Sequence, residues 1–523
     1  MLLAKTRMLG RFAGELGGFL RDTLAPEQCR QLVQAHLRDR AEVFLGILER
    51  SVFARPQSPY RQLCEHAGIE FGDVARLVHH DGLEAALGRL YEAGVYLKPQ
   101  EFKGRVPIER PGLQLQVRSE DFDNPLLTRA YTTHSGGSRG ASTRIIVDLD
   151  LLAHDAAHNA LSEQMLGLID RPRAQWRPAP PASAAMSIAL RASKIGRPLE
   201  RWFSQNRLLL RPDGLKYTLF THYVVAVSRR QGIPVPAPEY VPVGEVARIA
   251  QWLADRVRLG TPALFDCPAS SAVRVCLAAL ELGLDISDTA LRIGGEPYTP
   301  AKAEALDRAG CRAVVRYSLT ELGHVGMPCA NPAALDAVHL LTDKVAVIQR
   351  NEPDRDSGAL LITSLLPSIP KLMLNVDVGD DGVLEDRDCG CPARALGLGP
   401  TLHRVRSREK LTSEGMSFGG DGLLELVETI LPRRFGGHAT DYQLVEEEED
   451  GLPRVSIVVS PRVGPLDEHE VASFVLDSLG SRRATWKMAA ELWRQGQTLR
   501  VARREPYATS AAKILPLYVP PRT

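Results

Sequence analysis

No stretch of this sequence approaches the ~20 consecutive apolar residues that a membrane-spanning helix requires. Charge of one sign is lacking too: the formal net charge is +1, which gives no electrostatic case for nucleic acid or a membrane surface as partner. Cysteine is sparse, at eight in 523 residues. That excludes a disulfide scaffold and points to reduced thiols and a cytoplasmic location. No Gly-x-Gly-x-x-Gly element stands at a strand–helix junction, so a nucleotide-dependent oxidoreductase has no support. The amino-terminal segment MLLAKTRMLGRFAGELGGFLRD is broken by charges and glycines. It makes a poor signal peptide and reads as a packed helix.

What is present is the composition of a soluble globular chain, 44% hydrophobic and 24% charged. Its length is too great for one ordinary core, so two or more domains are expected. The most informative stretch is Arg292 to Gly326. Leu291 to Ile293 reads as a strand stopped by Gly294-Gly295-Glu296. Thr299 and Pro300 open a helix, with Ala301, Ala305, Leu306 and Ala309 at helical spacing and Gly310 at its end. Ala313 to Val315 reads as a second strand, so the polar Tyr317-Ser318-Leu319-Thr320-Glu321 follows a strand's carboxyl end, where open α/β sheets bind ligands.

A Gly-Gly-Glu turn, a helix and then Tyr-x-x-Thr-Glu resembles the adenylate-forming superfamily, and within it the phenylacetate–coenzyme A ligase-like and acyl-protein synthetase-like branch. The resemblance implies an α/β fold: a large N-terminal mixed α/β domain over 1–403, whose first 100 residues are mainly helical, and a small α+β C-terminal lid over 404–523. In the family the tyrosine stacks near adenine, the threonine approaches the phosphate and the glutamate holds magnesium. These roles fall on Tyr317, Thr320 and Glu321, with Ser318 beside them. Ser58-Pro59-Tyr60-Arg61 and Gly94-Val95-Tyr96-Leu97 resemble the family's helical entry segment, which packs rather than reacts.

Upstream, YTTHSGGSRGASTRI places small and hydroxylated residues around a glycine-rich turn before Ile145-Ile146-Val147. Such a turn presents backbone N–H groups to anionic oxygens. By resemblance, Ser135, Gly136, Gly137, Ser138, Arg139 and Gly140 are the phosphate loop. Ala141 stands where the family carries lysine, with Arg139 or Arg144 as the nearby cation; arginine does not replace lysine like for like at a phosphate. The proline-rich run Arg171 to Pro181 reads as an exposed connection. His222 is the candidate lining the acid pocket, against the common alternative of a packing histidine. Cys267, Ser270 and Ser271 are candidates for its border.

Beyond Glu321, Cys329, His339, Cys389 and Cys391 match a structural Cys₃His zinc site. Some phenylacetate–CoA ligase-like proteins resemble this set in the same order. Gly358 to Ser364 and Lys371 to Val378 read as strands leading into Gly379-Asp380-Asp381-Gly382. The resemblance puts ribose binding on Asp380, with Asp377 one register away, while Asp-Gly is also a hairpin-turn signal. Arg404 to Lys410 reads as the hinge, with Arg406 or Arg408 as its characteristic residue. Leu423 to Glu428 and Glu468 to Leu479 read as helices of the lid. Tyr442 to Val445 and Val455 to Val459 read as a hairpin whose tip is the solvated acidic run Glu446 to Asp450. Thr509-Ser510-Ala511-Ala512-Lys513 is similar to the family's terminal lysine turn, with Ala512 replacing glycine, and implies a catalytic role for Lys513.

Taken together, the resemblance implies activation of a small carboxylic acid by ATP and Mg²⁺ as an acyl-adenylate. Transfer to a thiol follows, most commonly coenzyme A, in a protein that also carries a structural Zn²⁺. A protein thiol, carrier protein or amine as acceptor is one alternative. A nucleotide-binding homologue that has lost catalysis is another, made credible by Ala141 and Ala512. No nucleic acid or membrane partner is expected, and the oligomeric state is open, with a homodimer as the base-rate expectation.

Overall fold

Short apolar runs alternate with helical stretches through the middle of the chain, the pattern from which a parallel sheet with covering helices is built. The computed structural model describes residues 2–127, 130–134, 144–180, 182, 184–208, 212–351, 357–407, 411–413, 416–418, 425–438, 441–481, 484–507 and 517–518. Its six-stranded sheet runs in the order Arg312–Val315, Ala290–Ile293, Leu264–Cys267, Arg173–Trp176, Arg201–Ser204, Pro238–Tyr240, and all neighbours are parallel. Helices cover both faces, so the inner strands are buried along their length. Phe203 packs with Phe265, Leu291, Val273 and Leu253, whereas its neighbour Trp202 packs with Met186, Leu190 and Val224. That division is the period-two alternation of a strand.

The run Arg171 to Pro181 is not an exposed connection. Arg173–Trp176 is a central strand, buried at all four positions. Its arginine is tolerated there because Glu163 pairs with it, and the Trp176 indole donates to the Val241 carbonyl at 3.0 Å.

After Val315 the chain leaves this sheet, and from Tyr317 it enters a second one of seven antiparallel strands. Their order is Tyr317–Leu319, Gly323–Pro328, Val338–Leu340, Pro400–Ser407, Val376–Asp386, Gly358–Ser364, Val345–Arg350. Arg316 is the corner between the two sheets. Gly379 to Gly382 does not turn the chain; it lies inside the eleven-residue strand Val376–Asp386. Gly379, at φ 79°, sits where the pairing register shifts, so the apparent turn signal marks a bulge. Pro400–Ser407 likewise continues as a strand past residue 403, so the large sheet reaches beyond the expected domain boundary.

The amino-terminal region is mainly helical, as expected, with Pro26–Leu48, Pro59–His66, Phe71–Asp81 and Leu83–Glu92. Tyr60 is buried, and its hydroxyl donates to the Leu372 carbonyl at 3.1 Å. Near the carboxyl end, four strands pair in the order Leu499–Arg503, Leu452–Val459, Tyr442–Glu449, Leu517–Tyr518 beside the helices Glu468–Gly480 and Ala484–Gln495. The acidic run is part of the strand Tyr442–Glu449, and only Asp450-Gly451 turn. It is no solvated tip: Glu446 is buried, Glu447 pairs with Arg500 and Arg504, and Glu448 accepts from Thr299 at 2.6 Å.

Candidate functional site

The two sheets meet at a corner built for close backbone approach. A Cβ on Gly294 would lie 2.7 Å from the Arg316 carbonyl oxygen, and Gly295 takes φ 84°; neither position accepts a side chain at little cost. Glu296, third in the turn, accepts from the Ser270 backbone N–H at 2.8 Å and its hydroxyl at 3.0 Å. A carboxylate at the start of the helix Ala269–Glu281 satisfies N–H groups that have no partner within the helix.

Tyr317 and Asp380, 63 residues apart, come together: the phenol donates to Asp380 Oδ2 at 2.8 Å. Burial, with the Asp380 carboxylate against it, holds the Tyr317 phenol well above its ordinary value, so it remains a donor. Asp380 is itself buried. Asp377, the alternative, accepts from the Gly379 N–H at 2.8 Å and so holds the bulge that presents Asp380. Arg406 faces Asp381 in the adjacent strand and pairs with Asp336 at 2.9 Å. Ser318 and Thr320 are exposed and Glu321 is half-buried around the Leu319–Gly323 turn. Glu321 has no ion-pair partner among the described residues.

Beneath this corner lies a buried charge network that sequence reading missed. Asp266, at the carboxyl end of its strand, pairs with Arg177 at 2.6 Å, Arg292 at 2.8 Å and Arg316 at 3.1 Å. Glu163 pairs with Arg292 at 2.6 Å and with Arg173. Asp155 pairs with Lys344 at 2.6 Å and Arg191 at 3.1 Å. Six cationic side chains therefore share three carboxylates, out of water. Burial alone would raise the Asp266 carboxyl, but Arg177, Arg316 and Arg292 outweigh it and hold the group far below the usual range. Burial, reinforced by the neighbouring guanidiniums against the pull of Asp266, brings Arg316 down to about 9. The surplus of positive charge at the strands' carboxyl ends favours an anionic ligand there. Only the alternation of arginines with strand-like segments hinted at it; the pairings span up to 189 residues.

Gly323 and His324 join the motif to this network. Gly323 takes φ 74°, and a Cβ there would lie 2.4 Å from Asp155 Oδ2. The His324 N–H donates to that carboxylate at 3.3 Å, and its Nδ1 lies 3.0 Å from the Ser318 hydroxyl. Burial, together with Arg191, Arg316, Lys344 and Arg292, keeps the imidazole well below its ordinary value and thus neutral.

Cys329, His339, Cys389 and Cys391 also converge, with all four ligand atoms within 4.8 Å of one another and all four residues buried. His339 Nε2 lies 3.0 Å from Cys391 Sγ and 3.4 Å from Cys389 Sγ. Gly390 at φ 64° folds the Cys-x-Cys turn, and Asn331 donates to the Cys389 carbonyl at 2.9 Å. Three sulfurs and one imidazole nitrogen fit a closed tetrahedral zinc site.

His222 is not brought to these groups. It is exposed on the helix Pro212–Arg230, whose neighbour Tyr223 donates to the Ala13 carbonyl at 2.8 Å. No hydrogen bond or ion pair among the described residues joins His222 to Tyr317, Asp380 or the Asp266 network. Cys267, Ser270 and Ser271 are fully buried at the Asp266 strand end. Ser135, Gly136, Gly137, Ser138, Arg139, Gly140, Arg408 and Lys513 lie outside the described residues. The strands Ala130–His134 and Arg144–Asp148 pair antiparallel, with His134 opposite Arg144. The second of these strands leads into the helix Leu149–Met165, which carries Asp155.

No model of a known protein family matches this sequence, and no curated protein matches it. Solved structures do. The chain is similar to 2-hydroxyisobutyryl-CoA ligase in complex with 2-HIB-AMP and CoA in the thioesterification state, with a TM-score of 0.52 at 16% identity, covering 95% of this chain and 91% of that one. A double mutant of o-succinylbenzoate CoA synthetase from Bacillus subtilis gives 0.41 at 13% identity, covering 82% and 79%. An amide bond synthetase from Marinactinospora thermotolerans gives 0.41 at 12%, covering 92% and 93%. The first likeness shows the fold: a mixed α/β chain of the adenylate-forming ligase type, with a large part followed by a smaller carboxy-terminal one.

Proposed function

We propose that this protein activates a carboxylic acid with ATP as an acyl-adenylate, releases pyrophosphate and transfers the acyl group to a thiol, coenzyme A in the first instance. The observation that carries the reading is the Tyr317–Asp380 hydrogen bond. It unites the Tyr-x-x-Thr-Glu motif with the Gly-Asp motif, which the family resemblance assigns to adenine and to ribose. CoA as acceptor rests on the fold likeness to a ligase solved with CoA and an acyl-AMP, and on the family branch.

In this mechanism Asp380 accepts from the ribose hydroxyls, and the Tyr317 ring lies along the base. The 136–140 loop supplies N–H donors to the phosphates. Glu321, which has no ion-pair partner among the described residues, would hold Mg²⁺, whose charge would offset that of the triphosphate. The buried arginines around Asp266 and Arg316 add a positive field that draws the substrate carboxylate toward the sheet edge. The carboxylate oxygen attacks the α-phosphorus and the bond to pyrophosphate breaks, with Lys513 stabilising the charge that develops. Arg406 lies at the end of the large sheet, and the chain beyond it is the lid that turns to admit the acceptor. The Cys₃His set would hold a structural Zn²⁺, since four protein ligands leave no open position. We further assign the protein to the cytoplasm.

ATP–pyrophosphate exchange across a panel of acids tests the reading. Exchange with at least one acid is expected, and Lys513→Ala should abolish it while leaving transfer from preformed adenylate largely intact. Equal loss in both half-reactions would remove the lysine's role. A second reading is favoured by Ala141 and Ala512: a homologue that binds nucleotide without catalysis. It predicts ATP binding with no exchange for any acid.

A further inference from the structure

A second cluster of metal-ligand type lies apart from both the nucleotide corner and the Cys₃His set. His154 and His158 stand one turn apart on the helix Leu149–Met165, so both imidazoles leave the same face. Asp343 meets them from the turn that follows the strand Val338–Leu340. His154 Nε2 lies 2.6 Å from Asp343 Oδ2, and His158 Nε2 lies 3.0 Å from both carboxylate oxygens. All three residues are buried. His36, from the helix Pro26–Leu48, sets its ring edge-on to His154 with centroids 4.7 Å apart.

From these residues we infer a second divalent-metal site, with His154, His158 and Asp343 as its protein ligands. Charge balance is the first ground. Asp343 is removed from water, yet no lysine or arginine among the described residues pairs with it; Lys344, next in the chain, is turned to Asp155. A buried carboxylate held only by imidazoles keeps a charge that hydrogen bonds spread but do not cancel. Convergence is the second ground. The Nε2 atoms of His154 and His158 both face the Asp343 carboxylate, and one ligand atom from each residue lies within 4.8 Å of the others.

Geometry is the third. Tetrahedral ligands at zinc-like bond lengths stand about 3.3 Å apart, so the carboxylate need withdraw by only a few tenths of an ångström to admit the ion. Two imidazole nitrogens and one carboxylate oxygen suit Zn²⁺, Co²⁺ or Ni²⁺ rather than Mg²⁺ or Ca²⁺. All three residues are buried, so the site has a structural task. It ties the helix Leu149–Met165 to the turn after the strand Val338–Leu340. His339 and Asp343 lie four residues apart, so one short segment would serve both metals.

The full-length chain, purified and measured for metal by elemental analysis, is expected to hold two ions. Cys389→Ser/Cys391→Ser should retain one, and His154→Ala/His158→Ala should retain the other. Replacement by Co²⁺ provides a second readout in the wild-type chain. The cysteine site gives intense thiolate-to-cobalt absorption, whereas the histidine site adds visible bands without it. If either variant fails to fold, the wild-type count and cobalt spectrum decide. A single ion per chain with thiolate bands alone would overturn the inference, as would a metal count unchanged in His154→Ala/His158→Ala.

Discussion

His324 reports on the charge network through its own proton. Its folded value is depressed by burial and four surrounding cations, while in the unfolded chain it titrates near 6.5. A group lowered on folding binds more protons in the unfolded state, so its contribution is intact above about pH 6.5 and is lost as pH falls below that. Chemical denaturation should show roughly 1 kcal/mol less stability at pH 5.5 than at pH 7.5 from this residue, a difference that His324→Gln removes. An identical pH difference in the variant would mean that other groups carry it. Gly323 beside it is a steric position. A Cβ would stand 2.4 Å from Asp155 Oδ2 in a positive-φ backbone, so Gly323→Ala should cost about 2–4 kcal/mol in urea unfolding. Asp380→Ala leaves the Tyr317 hydroxyl without its acceptor and should raise the KM for ATP by about tenfold or more; an unaltered KM would detach Asp380 from the ribose. The meeting of Tyr317 with Asp380, and of Cys329 and His339 with Cys389 and Cys391, follows groupings that the sequence itself suggests. His324 and Asp155 belong to none, and their roles come from contacts 169 residues apart.

The helices and most strands were legible because periodicity is a local property. Thr299 accepts from the Lys302 N–H and opens the helix Pro300–Arg308 as its sequence requires. The strand Arg173–Trp176 was not legible. Prolines and arginines mark exposed loops by composition, and only carboxylates brought up by the fold make them buriable. These are Glu163 for Arg173, from the preceding helix, and Asp266 for Arg177, 89 residues on. The same reasoning makes the strand vulnerable at a distance. Asp266→Ala leaves Arg177, Arg292 and Arg316 buried around a missing carboxylate, and breaking such a network costs about 3–5 kcal/mol or more. A sharply lowered Tm or insoluble protein is expected. A variant as stable as the parent would mean that water reaches these guanidiniums. The bulge at Gly379 was hidden for a related reason, since Gly-Asp-Asp-Gly satisfies both a turn and a bulge and only strand pairing decides between them.

The carboxy-terminal sheet shares a buried apolar cluster with the helices and strands of the parallel sheet, and polar contacts among the described residues add to it. Glu448 accepts from Thr299 at 2.6 Å and pairs with Lys302 at 3.3 Å, on the helix that follows the Gly-Gly-Glu turn. Arg274 donates to the Gly496 carbonyl at 2.9 Å, and the Val243 N–H donates to Gln495 at 3.1 Å. If acid activation and acyl transfer use different lid orientations, these bonds belong to one and are absent from the other. Glu448→Gln keeps an acceptor for Thr299 but removes the charge facing buried Lys302, so it destabilises the docked orientation by about 1 kcal/mol. A shift of that size changes the ratio of two orientations about fivefold. The half-reactions measured separately should then move in opposite senses, the one made in the docked orientation slowing as the other quickens or holds. Parallel slowing of both would mean that Glu448 serves stability alone, and that the contact persists through the catalytic cycle.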